Sequence, residues 1–395
     1  MAMRDVARFE APGASGWPGW CDRRPESRRK HTRPARGTAR ASRPDTCLEA
    51  GHIAAAAVAA RARADLPGLL RWAIVAQGLL RIGTSGWSYP GGRGTWNGVF
   101  YPVPPVAGDA RPRGPSRGGF DELAYYAERF DTVEVNSTFY RVPAPRVAAS
   151  WARRTPAGFE FSVKLYQKFT HPAMFAAATE GADPTVRAAD VDAFRRALEP
   201  LAAAAKLGPL LAQFPPSFTA TPEAFDYLGW LLGALRDYRL AVELRHRTWS
   251  DRRAETLGLL GEHDAAWVQI DEPKFRFSVR QDFRPNVQGF AYLRLHGRNA
   301  AQWWDHDASE DRYNYLYTAE ELESFAEAAE ATRPLVRKLY LYLNNHFEAK
   351  AVANAVMLKQ RLGAPIAGEY APAFVERYPA LQGVVRVAPT SPRLL

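Results

Sequence analysis

Seven short stretches of this sequence share a feature that packing alone does not require: each sets polar side chains of one parity, near its end, among apolar ones. Leu240–Arg245 (LAVELR) ends in Glu243 and Arg245, Thr132–Asn136 (TVEVN) in Glu134 and Asn136, and Phe159–Lys164 (FEFSVK) in Ser162 and Lys164. Ala266–Asp271 (AWVQID) carries Gln269 and Asp271, and Phe290–His296 (FAYLRLH) carries Tyr292, Arg294 and His296. Lys338–Asn344 (KLYLYLN) adds Tyr342 and Asn344, and Leu210–Phe214 (LLAQF) adds Gln213. Side chains alternate faces along a strand, so Val and Leu fall on one face of each stretch and the polar set on the other.

The residue types suggest a chemistry. A buried carboxylate can be tuned as general acid or base, and Glu243 beside Arg245 is the first candidate. Lys164 is an alternative base or Schiff-base former, because buried lysines lose proton affinity readily. His296 would shuttle a proton. Arg245, Arg294 and Arg298 offer planar forks suited to carboxylate or phosphate. Asn136, Gln213 and Asn344 would orient a ligand, Glu134 and Asp271 complete the acidic set, and Ser85 and Trp87 lie in a glycine-bounded turn (GTSGW) that lets backbone approach a ligand. The expected ligand is a small anionic or polyhydroxy molecule in a mildly cationic pocket. A Glu/Asp/His set can also hold Mg²⁺ or Mn²⁺. The neighbouring cations oppose this, so no cofactor is predicted and a divalent metal stays a minor alternative.

The competing account is that Glu134, Glu243 and Asp271 only neutralise Lys164, Arg245 and Arg294. Burying many ions costs several kcal/mol each, and apolar replacements often serve stability as well. Polar residues at one phase on seven stretches therefore favour a site.

With Ile82–Gly86 (IGTSG) there are eight strand-like runs, and helical patterns follow most of them, at 121–129, 144–153, 186–206, 222–237, 251–262, 319–331 and 349–362. Strands alternating with helices imply a parallel sheet, here an α/β fold of the TIM-like (β/α)8 barrel type. The polar ends would then meet at the C-terminal mouth, where active sites of that architecture lie. An open doubly wound sheet is the alternative, but the first turn, GTSGWSYPGG, holds neither GxGxxG nor GxxxxGK[ST]. Strand six runs into DEPKFRFSVRQDFRPN without a helix, and the Pro/Gly/Arg-rich stretch 102–119 reads as a surface insertion.

Bulk composition narrows the classes. The 395 residues are 47% hydrophobic and 24% charged, an ordinary globular balance. Two cysteines, Cys21 and Cys47, exclude a disulfide scaffold or a cysteine–zinc cluster. The net charge is +10, yet residues 1–80 hold 14 basic and 7 acidic residues against 38 and 35 in the remainder. The basic character thus sits in the N-terminal stretch. Residues 1–78 are read as a disordered basic extension or a translated stretch upstream of the true start, with an organelle transit peptide as a third reading. Residues 79–395 are read as one barrel domain. The apolar run 53–60 is far shorter than the roughly 20 residues a membrane span needs, and the expected location is the cytoplasm.

A series of motifs adds to this: IGTSGWSYPGGRGT, LAYYAERFDTVEVNSTFYRVP, WARRTPAGFEFSVK, GPLLAQFPPSF, AVELRHRTW, YLRLHGR and YLNNHFEAKAVANAVML. In this order they resemble the YecE-like family, also called domain of unknown function 72, over about residues 80–385. The resemblance implies a TIM-like barrel and no particular reaction. The chain departs from the pattern at WNGV, which precedes Phe100, and in the long stretch 102–119.

The leading reading is a soluble barrel enzyme of undetermined reaction class, whether isomerase, lyase or hydrolase. A nucleic-acid-processing or nucleic-acid-binding barrel and a non-catalytic ligand-binding module are the alternatives.

Overall fold

A computed structural model describes residues 78–103, 119–305 and 310–389. The N-terminal extension and most of the 102–119 insertion lie outside the described residues. The eight runs all form strands: β1 (Leu79–Thr84), β2 (Thr132–Val135), β3 (Glu160–Lys164), β4 (Leu207–Gln213) and β5 (Leu240–Glu243), then β6 (Ala266–Trp267) with β7 (Gln269–Asp271), β8 (Ala291–Leu295) and β9 (Lys338–Leu343). The sixth run is divided at Val268. A short pair, β10 (Glu369–Tyr370) with β11 (Arg386–Val387), is added near the C-terminus.

The fold is α/β with parallel sheets. One sheet has the order β1-β9-β8-β7 and the other β2-β3-β4-β5-β6. Neither ladder closes on itself, but the two adjoin at both margins. Ser85 forms a lone parallel bridge with Glu134, and Gly86 N donates to Glu134 O at 2.7 Å. At the other margin, Val268 N donates to Val242 O at 2.9 Å, just before the same chain segment turns to pair with β8. A β-carbon on Gly83 would lie 2.4 Å from Thr132 O, so only glycine lets β1 come this close to β2.

The helices follow the apolar periodicity. Ala188–Ala203, Pro222–Ala234 and Ala319–Thr332 bury one face each, whereas Lys350–Arg361 is buried on nearly every side. Thr318 and Glu321 form a capping box that starts one of them, and Thr221 accepts from Ala224 N at the start of another. The helix expected at 121–129 spans Glu122–Ala127, with Asp121 accepting from Ala124 N. Val133, Val135, Phe161, Val163, Val242, Leu244, Leu293 and Leu295 are all fully buried on the apolar phase of their strands.

The opposite phase is polar over much of its length, and its contacts run from one sheet to the other. Glu160 on β3 accepts from Tyr340 Oη on β9 at 2.6 Å, with Lys338 beside it. One layer along, Tyr342 Oη on β9 lies 2.6 Å from Thr132 Oγ1 on β2 and 2.8 Å from Ser162 Oγ on β3. The next layer, at the C-terminal ends of the strands, holds the charged residues.

Candidate active site at the strand ends

Arg294, only 1% exposed, is the hub. Its Nε donates to Glu134 Oε2 at 2.9 Å and its Nη2 to Glu134 Oε1 at 2.7 Å, a fork-on-fork pair. Its Nη1 donates to Glu243 Oε2. Ser85 Oγ and Tyr292 Oη donate to the two Glu134 oxygens at 2.8 and 2.7 Å. Arg245 Nε donates to the other Glu243 oxygen at 2.7 Å, and Arg245 Nη1 lies 3.4 Å from Glu272 Oε2. His296 Nε2 is 3.3 Å from both guanidiniums and 3.5 Å from Glu243 Oε1, while Asn344 Nδ2 meets His296 Nδ1 at 2.8 Å. Carboxylates and guanidiniums therefore alternate: Glu134, Arg294, Glu243, Arg245, Glu272.

The electrostatics assign different duties to these groups. Burial pushes the Glu243 carboxyl up, but Arg294, Arg245 and His296 outweigh it and hold Glu243 well below the usual carboxylate range. In this arrangement Glu243 is the shared counter-ion of two guanidiniums. Burial brings His296 down to about 3, aided by Arg294 and Arg245 against Glu243. The ring is neutral near pH 7, with Nε2 facing the two guanidiniums and Nδ1 the Asn344 amide. Glu272 is raised, first by burial and then by Glu243, with Arg245 opposing. Lys164 is brought down to about 7 by burial and then by Arg294, with Arg245 adding and Glu243 and Glu134 opposing. Its Nζ lies 4.0 Å from the centre of the Phe139 ring and makes no hydrogen bond or ion pair among the described residues.

Four residues that the sequence reading placed at the site fall elsewhere. Asp271 and Gln269 were expected beside Glu243, but register puts Asp271 level with Leu295 and Gln269 level with Leu293, on the apolar phase. Asp271 takes both branches of Arg298 at 2.9 and 3.1 Å and the Tyr317 hydroxyl at 2.8 Å. Gln269 accepts from Phe283 N at 3.1 Å. The phase that carries Arg294 continues in strand six as Ala266, Val268 and Ile270 and reaches Glu272, one residue beyond the predicted acid. Because the side-chain period is two, choosing the wrong parity exchanges the faces. Arg298 was expected to hold an anion. It is paired with Asp271 and Glu321 and lies over the Tyr317 and Phe325 rings, away from the guanidinium chain. Trp87 packs edge-on against Trp151 and Phe161, the latter on the apolar phase of β3, so it serves packing.

The remaining predicted residues lie on the polar phase. Ser85, Glu134, Arg245, Arg294, His296 and Asn344 join the network described above. Gln213 is level with Glu243 across β4 and β5, and its side chain makes no hydrogen bond among the described residues. Asn136 Oδ1 is buried without a hydrogen-bond partner, as is Glu272 Oε2. The excess of cations expected from sequence becomes a balanced cluster of charges, with Glu134, Glu243 and Glu272 beside Lys164, Arg245 and Arg294. Guanidiniums stand between the acids, and no group of three or more His, Cys, Asp or Glu side chains among the described residues is arranged for a metal ion.

Residues 81–375 match the family model described as "Protein of unknown function DUF72". The chain belongs to the DUF72 family. Among its relatives, the UPF0759 protein YunF of Bacillus subtilis strain 168 is 28% identical over 262 residues, which is 64% of this chain and 91% of YunF. The UPF0759 protein YecE of Escherichia coli K12 is 30% identical over 134 residues, 33% of this chain and 43% of YecE. A DUF72 family protein of Thermotoga maritima MSB8, solved by crystallography, is 33% identical with a TM-score of 0.57, covering 72% of this chain and 99% of its own. Another from Enterococcus faecalis V583, 24% identical with a TM-score of 0.60 over 73% and 96% of the two chains, agrees in fold. The motif resemblance read from the sequence thus holds for this DUF72 chain. No described helix is long and apolar enough to cross a membrane.

Proposed function

We propose that the protein is a cytoplasmic TIM-like (β/α)8-barrel enzyme acting on a small polyhydroxy compound at the C-terminal ends of its strands. Closure of the two sheets is supported by the Ser85–Glu134 bridge at one margin, by strand six pairing with both β5 and β8 at the other, and by side-chain contacts that run from sheet to sheet. The cytoplasmic location rests on the sequence reading.

The observation that carries the substrate class is the state of the charges. Arg294 and Arg245 are already neutralised by carboxylates, while Gln213, Asn136 Oδ1 and the Lys164 amine keep unused hydrogen-bonding capacity. An anionic substrate, equally expected from sequence, would have to displace Glu134, Glu243 or Glu272 from buried ion pairs, which is costly. Hydroxyl groups pair with amides and an amine without that exchange. Calorimetric titration of the full chain with neutral aldoses and sugar alcohols, beside their phosphates, checks this. Neutral polyols are expected to bind, with binding weakened by Gln213→Ala. Binding by the phosphates alone would overturn the neutral class, and no binding by either set would overturn the site. Saturable binding with no turnover of any tested compound would favour the non-catalytic module.

One observation favours nucleic acid as a second reading. Phe275 and Phe277 stack at 5.4 Å in the segment after strand six, His246 lies parallel to Phe277, and the half-exposed Trp304 closes the row. Lys274, Arg276 and Arg280 alternate with these rings and are exposed. Aromatic platforms with interleaved cations bind single strands through stacking and phosphate contacts. This reading requires oligonucleotide binding that falls steeply with salt and weakens in Trp304→Ala. Fluorescence anisotropy showing no binding at low salt removes it.

A further inference from the structure

We propose that Lys164 is a covalent catalyst that forms an imine with the carbonyl carbon of an open-chain polyhydroxy aldehyde or ketone. The inference rests on the polyhydroxy reading above and adds the reactive group of the substrate.

Four features of the structure carry it. Lys164 ends β3 on the polar phase, at the C-terminal ends of the strands, and is only partly buried, so a ligand can reach it. Its amine has no hydrogen bond or ion pair among the described residues, although Glu134, Glu243 and Glu272 belong to the same cluster. Those carboxylates are committed to Arg294 and Arg245, and the aromatic face of Phe139 lies against the ammonium side of the lysine. A structural lysine in such a place would take one of the acids. Burial, Arg294 and Arg245 outweigh Glu243 and Glu134 in favour of the free amine, the form that attacks carbonyls.

The step balances without an added redox partner. The Nζ lone pair forms the N–C bond while the carbonyl π pair moves to oxygen, and one proton passes from nitrogen to that oxygen. The resulting carbinolamine loses water when a proton is delivered to its hydroxyl. That proton comes from solvent, which reaches the partly buried lysine. The iminium then draws electrons from the neighbouring carbon, which labilises its C–H or C–C bond. Hydrolysis returns the lysine and the carbonyl product. Gln213 and Asn136 are placed on the polar phase of β4 and β2 to take the hydroxyls.

The test is reductive trapping. The full-length protein is incubated near neutral pH with D-glyceraldehyde or D-ribose and cyanoborohydride, and the adduct is mapped by peptide mass spectrometry. The chain has eight lysines, so each can be followed separately. Lys164 is expected to be modified at least about ten times faster than any other lysine, reflecting its larger free-amine fraction at that pH. Lys164→Met, with its fold verified by circular dichroism, is expected to lose that fast adduct and keep the slow background. A second arm measures thermal stabilisation by ribitol, which has no carbonyl. Stabilisation by ribitol with Lys164 modified no faster than exposed lysines overturns the imine and leaves the polyhydroxy site standing. No stabilisation and no selective adduct overturn both.

Discussion

Glu243→Gln is expected to destabilise the protein by about 3–5 kcal/mol, the usual cost of removing one partner from a buried ion pair. Glu243 is wholly buried and bridges Arg245 to Arg294. The amide keeps the shape but leaves Glu272, at 3.4 Å, as the carboxylate facing Arg245, while Arg294 keeps its bidentate grip on Glu134. Chemical denaturation measures the loss directly. The pH dependence has a definite sign. A carboxyl whose folded value lies below its unfolded one adds stability above the ordinary carboxylate range and loses it as pH falls toward the depressed value. The wild-type advantage over Glu243→Gln should therefore shrink in acid. A change below about 1 kcal/mol at neutral pH, which is the range of exposed pairs, would show that the network does not hold the strand ends together, and would restore Glu243 as a candidate acid or base.

Lys164→Met is expected to act in the opposite direction and stabilise the protein by a few kcal/mol near and below pH 7. The folded protein sheds the Lys164 proton above about 7, whereas the unfolded chain keeps it up to about 10.5. Between those values the unfolded state binds more protons, so stability rises with pH across that window, and below it the folded state carries the whole penalty of a buried, repelled ammonium. The full shift would correspond to roughly 1.4 kcal/mol per pH unit, reduced because solvent reaches part of the side chain. The variant should gain most in the lower range and show a flatter stability–pH curve between about 7 and 10.5. Urea denaturation at several pH values gives both. A destabilised variant with an unchanged pH profile would mean that the amine is an ordinary structural cation. A residue that costs stability where it stands is the mark of a functional group, so this result and the trapping experiment bear on one another from independent directions.

The legibility of the site differs from residue to residue. Glu134, Ser162, Glu243, Arg245, Arg294 and His296 were readable because each alternates with Val or Leu in a run short enough to be a buried strand. Glu272 was not. In AWVQID the polar residues Gln269 and Asp271 occupy the outer phase, where Arg298, Tyr317 and the backbone of Phe283 satisfy them. A buried outer-phase acid with its own arginine looks in sequence like an inner one. The signal that would have found Glu272 is parity counted across the whole segment, since Ala266, Val268 and Ile270 form an unbroken apolar phase leading to it. Trp87 was unreadable for a related reason, because an aromatic at a loop root can turn either way, and here Trp151 and Phe161 receive it.

By itself the sequence determined the order of strands and helices, their parallel α/β arrangement, and a set of polar strand ends on one phase. Hydrophobic periodicity is a local property, and so is the capping chemistry that starts helices, so both can be read along the chain. Only the tertiary structure decided which charges neutralise which. Arg294 is separated by 160 residues from Glu134 and by 51 from Glu243, and nothing local records that one guanidinium bridges both. That pairing sets Arg245 and Arg294 against carboxylates and Glu243 against two guanidiniums. It left Lys164 as the amine whose partners were all taken, because the strength of a buried charge depends on the company it keeps across the fold, not on its neighbours in sequence.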